Sequence, residues 1–163
     1  MSTGIRSLID AGSKVWLDSV DPDELRDNLS WGITGATSNP IIVAGLIDSG
    51  RFDDDLATLM DQGSDDESIA WALTDQMVQH AQEGCHNAWR DSGGDTGWVS
   101  FELDPLVDAA DSELSHNERV AKYLELGKRW SEGHDNRMIK VPATPAGLAA
   151  IEPLCAAGVT LNV

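Results

Sequence analysis

The stretch RMIKVPAT, residues 137–144, is a short apolar run that contains a lysine and is closed by a proline. Its composition predicts a buried strand over residues 137–141, and Pro142 ends that strand because proline cannot donate to a sheet ladder. Thr144 followed by Pro145 is typical of a helix N-cap and first turn. The stretch therefore predicts a strand with a polar side chain near its carboxyl end, and a helix directly after it.

The same order of signals recurs along the chain. Four further apolar segments predict strands, near residues 15–18, 33–38, 98–103 and 159–163. Asp21-Pro22 and Asn39-Pro40 each predict the start of a helix, and residues 51–96 carry helical periodicity, with a capping box over residues 64–67. Strand and helix thus alternate, which is the pattern of parallel strands joined by helices.

Two parallel architectures fit this alternation. An open doubly wound sheet is one, but the chain has no glycine-rich phosphate turn. A complete (β/α)₈ barrel needs about 250 residues, so this chain can supply only about five of the eight strands. We therefore expect residues 1–163 to form a single α/β domain of the parallel TIM-barrel type, in an incomplete form.

Composition excludes several classes of protein. Eleven basic and 28 acidic residues give a net charge of −17, which repels nucleic acid backbones. No apolar segment reaches the ~20 residues that span a bilayer, and no secretory signal is recognisable. Cys85 and Cys155 form no CxxC pair, and the four histidines lack metal-ligand spacing. We expect a cytoplasmic protein that binds neither nucleic acid nor membrane.

Polar residues lie at the predicted carboxyl ends of the strands, where parallel barrels carry their catalytic groups. They are Asp18, Thr37, Ser38, Asn39, Glu102, Lys140 and Asn162. A lysine can form a Schiff base, a carboxylate can move protons, and amides can hold substrate hydroxyls. The set predicts an active site for a carbonyl substrate.

Four of these residues also have a purely structural interpretation. If Lys140 projects into a partly dry cavity, desolvation favours a nucleophilic amine, but a strand-end lysine can equally well serve as the partner of a neighbouring carboxylate. Glu102 can be a solvated strand end, and Asp18 can initiate a turn. Asn39, which precedes a proline, fits a helix N-cap.

Taken in order, five segments resemble the transaldolase family. They are VWLDS (15–19), GATSNP (35–40), VSFELDP (99–105), NRMIKVPAT (136–144) and GVTLNV (158–163). The resemblance extends from about residue 13 to the end of the chain. It implies a TIM-barrel fold and transfer of a dihydroxyacetone unit between sedoheptulose 7-phosphate and glyceraldehyde 3-phosphate, a reaction of the pentose phosphate pathway.

The resemblance also implies a role for each matching residue. Lys140 matches the lysine that forms the Schiff base, and Asp18 matches the carboxylate that takes the proton from the C4 hydroxyl. Glu102 matches the acid/base that assists dehydration of the carbinolamine through a water molecule. Asn39 and Asn162 match amides that hold the dihydroxyacetone moiety of the substrate. Thr37 matches a residue that lies beside the water molecule and the substrate. No metal or organic cofactor is implied.

The resemblance implies that the ligands are sugar phosphates. It does not decide whether the protein forms a homo-oligomer. The chain ends at Val163, before the arginine and serine with which the family grips the substrate phosphate. We therefore expect weak or no transfer activity from residues 1–163 alone. Two other hypotheses stay open: a class I aldolase of related barrel type, which cleaves without transferring, and a non-enzymatic remnant of an ancestral enzyme.

Overall fold

The computed structural model describes residues 3–163 of the chain. Strands and helices alternate through most of this range, and two additional helices lie between the second and third strands. The elements are α1 (Thr3–Asp10), β1 (Trp16–Leu17), α2 (Pro22–Leu29), β2 (Gly35–Thr37), α3 (Pro40–Asp48), α4 (Asp53–Asp61), α5 (Asp66–Asp91), β3 (Trp98–Glu102), a 3₁₀ helix (Pro105–Asp108), α6 (His116–Ser131), β4 (Arg137–Lys140), α7 (Pro145–Ala156) and β5 (Leu161–Asn162). None of the helices in this range is long and apolar enough to cross a membrane.

The strands are parallel and belong to one sheet, in the order β1-β2-β3-β4-β5. A five-stranded parallel sheet with intervening helices confirms the α/β class and the incomplete barrel that the sequence predicts. All five strands lie where they were predicted, but each is shorter. At β1, for example, Thr34 N donates to Val15 O at 2.8 Å, yet Asp18 already lies in a bend. The polar residues at strand ends therefore belong to the turns more often than predicted.

The chain separates into two compact units, one up to Val99 and the other from Ser100. The single domain expected from the sequence stays a prediction. In the first unit, the 26-residue α5 supplies much of the core, including the fully buried Leu73 and Val78. Helix α2 packs against α5, where Leu25 lies close to Gly84.

The core of the second unit lies between its strands and helices α6 and α7. Phe101, Tyr123, Ile139 and Leu154 have no exposed surface. Arg137 is also buried: its guanidinium lies 5.0 Å from the centre of the Phe101 ring. This packing fixes the start of β4, and with it the position of the residues that follow along the strand.

Candidate functional site

The closest pair of predicted site residues lies in the second unit. Glu102 and Lys140 are the last residues of β3 and β4, and Leu103 N donates a hydrogen bond to Lys140 O at 3.0 Å. Lys140 Nζ lies 2.8 Å from Glu102 Oε2. The Lys140 side chain is 32% exposed and the Glu102 side chain 25%, so solvent reaches the ion pair but is partly excluded from it. This contact is the one that the structural interpretation of Lys140 predicts, and the catalytic role of Lys140 stays a prediction.

Asn162 lies beside this pair on the next strand. Its Cα is the register partner of Lys140, and Val141 N donates to Asn162 O at 3.0 Å. The Asn162 amide Nδ2 donates to Ser100 Oγ at 3.1 Å, and Ser100 is fully buried. The sheet therefore places Glu102, Lys140 and Asn162 at one edge. Ser100 was not among the predicted site residues, although strand alternation already put it on the face of Glu102.

The turn that follows Lys140 is packed tightly against helix α7. Thr144 caps this helix, and its hydroxyl accepts a hydrogen bond from Gly147 N at 3.1 Å. A Cβ atom at Gly147 would lie 2.0 Å from Pro142 O, which is far inside van der Waals contact. The helix can approach the turn this closely only because residue 147 is glycine.

Asp108, at the end of the 3₁₀ helix after β3, accepts hydrogen bonds from three side chains of the second unit. The donors are Thr144 Oγ1 at 2.5 Å, Tyr123 Oη at 2.8 Å and Arg119 Nη1 at 3.2 Å. Burial alone would raise the pKa of Asp108, but these three partners together hold it below its usual value. Burial and the nearby Asp108 carboxylate raise the pKa of Tyr123. Sequence reasoning missed this cluster, because one aspartate in a chain with 28 acidic residues carries no distinguishing signal.

The other predicted residues lie in the first unit, after β1 and at the end of β2. Asp18 is exposed in the bend that follows β1. Thr37 is the last residue of β2, and its hydroxyl donates to Ser38 O at 3.3 Å. Asn39 caps α3 by accepting a hydrogen bond from Ile42 N at 2.9 Å, so its predicted role as an N-cap is confirmed.

The structure thus brings Glu102, Lys140 and Asn162 together within one unit. Asp18, Thr37 and Asn39 occupy the corresponding strand ends of the other unit, and the catalytic and binding roles of all six stay predictions. Within residues 3–163, no group of three or more His, Cys, Asp or Glu side chains is arranged to hold a metal ion. The chemical groups at hand are a primary amine paired with a carboxylate, and a neighbouring amide.

Comparison with known proteins identifies relatives over nearly the whole chain. A family profile described as Transaldolase/Fructose-6-phosphate aldolase matches residues 15–163. The transaldolase of Mycobacterium ulcerans (strain Agy99) is 32% identical over 167 aligned residues, which include 98% of this chain and 43% of that protein. The transaldolase of Mycobacterium tuberculosis (strain CDC 1551 / Oshkosh) is 34% identical over 166 aligned residues, with the same coverage. The chain therefore spans less than half the length of these relatives.

The match covers every strand, and it includes the strand-end residues Glu102, Lys140 and Asn162 as well as Asp18, Thr37 and Asn39. The arrangement of a parallel sheet with an amine and a carboxylate at one edge agrees with the sequence match. On these grounds the chain belongs to the transaldolase/fructose-6-phosphate aldolase family.

Proposed function

We propose that this chain carries the Schiff-base chemistry of a transaldolase, with Lys140 as the nucleophile. The observation that carries the proposal is the 2.8 Å contact between Lys140 Nζ and Glu102 Oε2 at the ends of two neighbouring strands. The complete reaction would move a dihydroxyacetone unit from a ketose phosphate, such as sedoheptulose 7-phosphate, to the aldehyde of glyceraldehyde 3-phosphate. The family match and the transaldolase relatives support this choice of reaction.

The first proposed step is formation of the imine. The Lys140 ammonium must lose a proton before its nitrogen can attack the ketose carbonyl, and we assign Glu102, which lies within hydrogen-bond distance, as the acceptor of that proton. Attack gives a carbinolamine. Glu102 then returns a proton, through a water molecule, to the carbinolamine hydroxyl, which leaves as water. The amine and the carboxylate therefore act in sequence on the same carbon.

The second proposed step is carbon–carbon cleavage. Asp18 takes the proton from the C4 hydroxyl, the C3–C4 bond breaks, and its electron pair moves into the protonated imine to form an enamine. The aldehyde fragment leaves, and attack of the enamine on the acceptor aldehyde reverses the sequence. Asn39, Asn162 and Thr37 are proposed to hold the three-carbon unit. The family resemblance supports these assignments.

One structural feature favours a transaldolase over an aldolase that only cleaves. The segment between α3 and β3 contains two additional helices, α4 (Asp53–Asp61) and α5 (Asp66–Asp91). A helical insertion at this place resembles the longer bacterial transaldolases rather than the minimal aldolase-like members. Incubation with sedoheptulose 7-phosphate, with and without glyceraldehyde 3-phosphate, separates the two activities: a transaldolase needs the acceptor for turnover, whereas an aldolase releases free dihydroxyacetone.

Borohydride trapping tests the role of Lys140 directly. In a protein that also carries the remaining strands of the family's barrel, we expect incubation with fructose 6-phosphate and borohydride to add a reduced sugar adduct to the peptide that contains Lys140, and Lys140→Met to abolish it. Lys122→Met is the matched control, because Lys122 lies on the exposed side of α6, paired with Glu125. An adduct on another lysine, or one that survives in Lys140→Met, would overturn the assignment. No adduct on any lysine would favour the non-enzymatic alternative.

The two carboxylates should fail at different steps. Glu102→Gln should slow imine formation by about 10²–10⁴-fold, because the departing water loses its proton donor. Asp18→Asn should still form the trapped imine but fail to cleave the carbon–carbon bond. Rapid-quench trapping measures the first step, and release of the aldehyde measures the second. If both variants stalled at the same step, the proposed division of roles would be wrong.

A further inference from the structure

The loop after β3 and the turn after β4 are connected by one carboxylate. Asp108 lies six residues after Glu102, and its Oδ2 atom accepts hydrogen bonds from Thr144 Oγ1 and from Tyr123 Oη. Thr144 lies four residues after Lys140. A side chain in the segment that follows the carboxylate of the pair thus holds the segment that follows the amine.

Asp108 is itself held from the other side. Arg119 Nη1 donates to Asp108 Oδ1 at 3.2 Å, while Arg119 Nε and Nη2 donate to Leu114 O at 2.9 Å and to Ser112 O at 3.1 Å. Arg119 therefore fixes both the carboxylate and the loop around it. The Asp108 and Arg119 side chains are only 14% and 23% exposed, which limits the solvent competition for these bonds.

The turn that Asp108 holds leaves little room for adjustment. Thr144 uses one hydroxyl twice, donating to Asp108 and accepting from Gly147 N. Gly147 in turn packs on Pro142 O, and Val141 N donates to Asn162 O. A displacement of Thr144 is therefore transmitted through the turn to the end of β4, where Lys140 lies.

We propose that Asp108 is a positioning residue: by holding Thr144 it fixes the turn behind Lys140 and keeps the Lys140 amine against Glu102. The inference rests on the proposed function only in the meaning it gives to this pair. The contact itself is measurable without any sugar substrate. Asp108 does not touch the reacting atoms, so it acts through the geometry of the turn.

The test measures the reactivity of Lys140 by trace acetylation with acetic anhydride, and compares it with Lys128 in the same molecule by mass spectrometry. The contact with Glu102 occupies Lys140 Nζ and restricts the access of the reagent to it, so loosening the pair raises the Lys140:Lys128 ratio. For Asp108→Ala and Thr144→Val we expect a rise of about two- to fivefold, the range for a partly exposed ion pair. Thr144→Ser keeps the hydroxyl and should restore the ratio of the unmodified chain.

Tyr123→Phe is the matched control. It also removes one hydroxyl donor from Asp108 Oδ2, but Tyr123 lies on α6 and not in the turn. We expect it to lower the melting temperature by less than Thr144→Val, which also loses the cap on Gly147 N, and to leave the labelling ratio unchanged. If Tyr123→Phe raised the ratio as much as Thr144→Val, the cluster would merely stabilise the unit and the proposal would fail. An unchanged ratio in Thr144→Val would also overturn it.

A double variant tests whether the effect passes through Glu102. Glu102→Gln should raise the ratio by itself, and adding Thr144→Val to it should cause no further rise, whereas independent effects would multiply and contradict the proposal.

Borohydride trapping with fructose 6-phosphate on the same samples separates the two claims. A coupled labelling ratio without a trapped imine would reject the Schiff-base function and retain the positioning role. A trapped imine together with a labelling ratio that the Thr144 and Asp108 variants do not change would support the Schiff-base function and reject the positioning role.

Discussion

Gly147→Ala should destabilise the second unit because of one specific clash. The new Cβ atom would lie 2.0 Å from Pro142 O, whereas ordinary contact begins at 3.4 Å, so one of the two must move by about 1.4 Å. The clashing atom belongs to the backbone and cannot rotate away as a side-chain end can. Overpacking of this kind costs about 1–3 kcal/mol, and the severity of the approach places it at the upper end.

Part of this cost is offset by the helix itself. Alanine stabilises a helix interior by about 0.5–1 kcal/mol relative to glycine. The expected net loss for Gly147→Ala is therefore about 2 kcal/mol. Because Pro142 lies two residues after Lys140, the same displacement should also raise the acetylation rate of Lys140 relative to Lys128.

Two other helical glycines complete the series. Gly45 on α3 has no neighbour within 4 Å of a built Cβ, so Gly45→Ala should stabilise by about 0.5–1 kcal/mol. At Gly127 the closest atom, at 2.7 Å, is the end of the Leu154 side chain, so Gly127→Ala should fall between the other two. Urea denaturation followed by far-UV circular dichroism measures all three. The reasoning is refuted if Gly147→Ala proves as stable as Gly127→Ala or more so.

Three further expectations follow from buried charged and titratable groups. Burial raises the pKa of the Cys85 thiol to about 11, so iodoacetamide at about pH 8 should modify the exposed Cys155 and spare Cys85 until the chain is denatured. The lowered pKa of Asp108 contributes stability that is present above the unfolded value of about 4 and is lost as the pH falls through the folded value. Asp108→Asn should therefore flatten the acid limb of a stability–pH profile, and an unchanged limb would contradict this assignment. Arg137→Lys should cost about 1–2 kcal/mol by urea denaturation, because an ammonium cannot stack on the Phe101 ring as the guanidinium does.

The strand and turn around Lys140 could be predicted because their signals are local. An apolar run, Pro142 and the Thr144-Pro145 cap specify a strand end and a helix start within nine residues. The capping box that Ser115 and Glu118 form at the start of α6 depends on an equally local pattern. Local chemistry decides these positions, so a single sequence contains enough information to place them.

Competition between equally good local signals produced an error. The capping box predicted over residues 64–67 is wrong: Asp65 caps α5, and its side chain accepts from Ser68 N at 2.8 Å. Ser64 and Asp65 are both good N-cap residues, and nothing in the segment itself ranks them. The helix was predicted correctly, but its first residue was not.

The contacts within the site could not be predicted from the sequence, because they join residues that are far apart along the chain. Glu102 and Lys140 are separated by 38 positions, and Asp108 and Thr144 by 36. Parallel register accounts for the first contact, since a ladder bond from Leu103 N to Lys140 O puts both strand ends at one edge. The second contact has no such rule, because it joins two irregular segments.

This difference separates two kinds of positional control. Backbone ladder bonds fix the position of the Lys140 backbone, as its register with Asn162 shows. No single side chain is needed for that. After Lys140, a ladder bond from Val141 N to Asn162 O precedes the turn that leads into α7. Beyond Val141, the hydrogen bonds of Thr144 to Asp108 and Gly147 take over this restraint. Side-chain substitutions in these loops therefore change the geometry around the amine while the sheet stays intact.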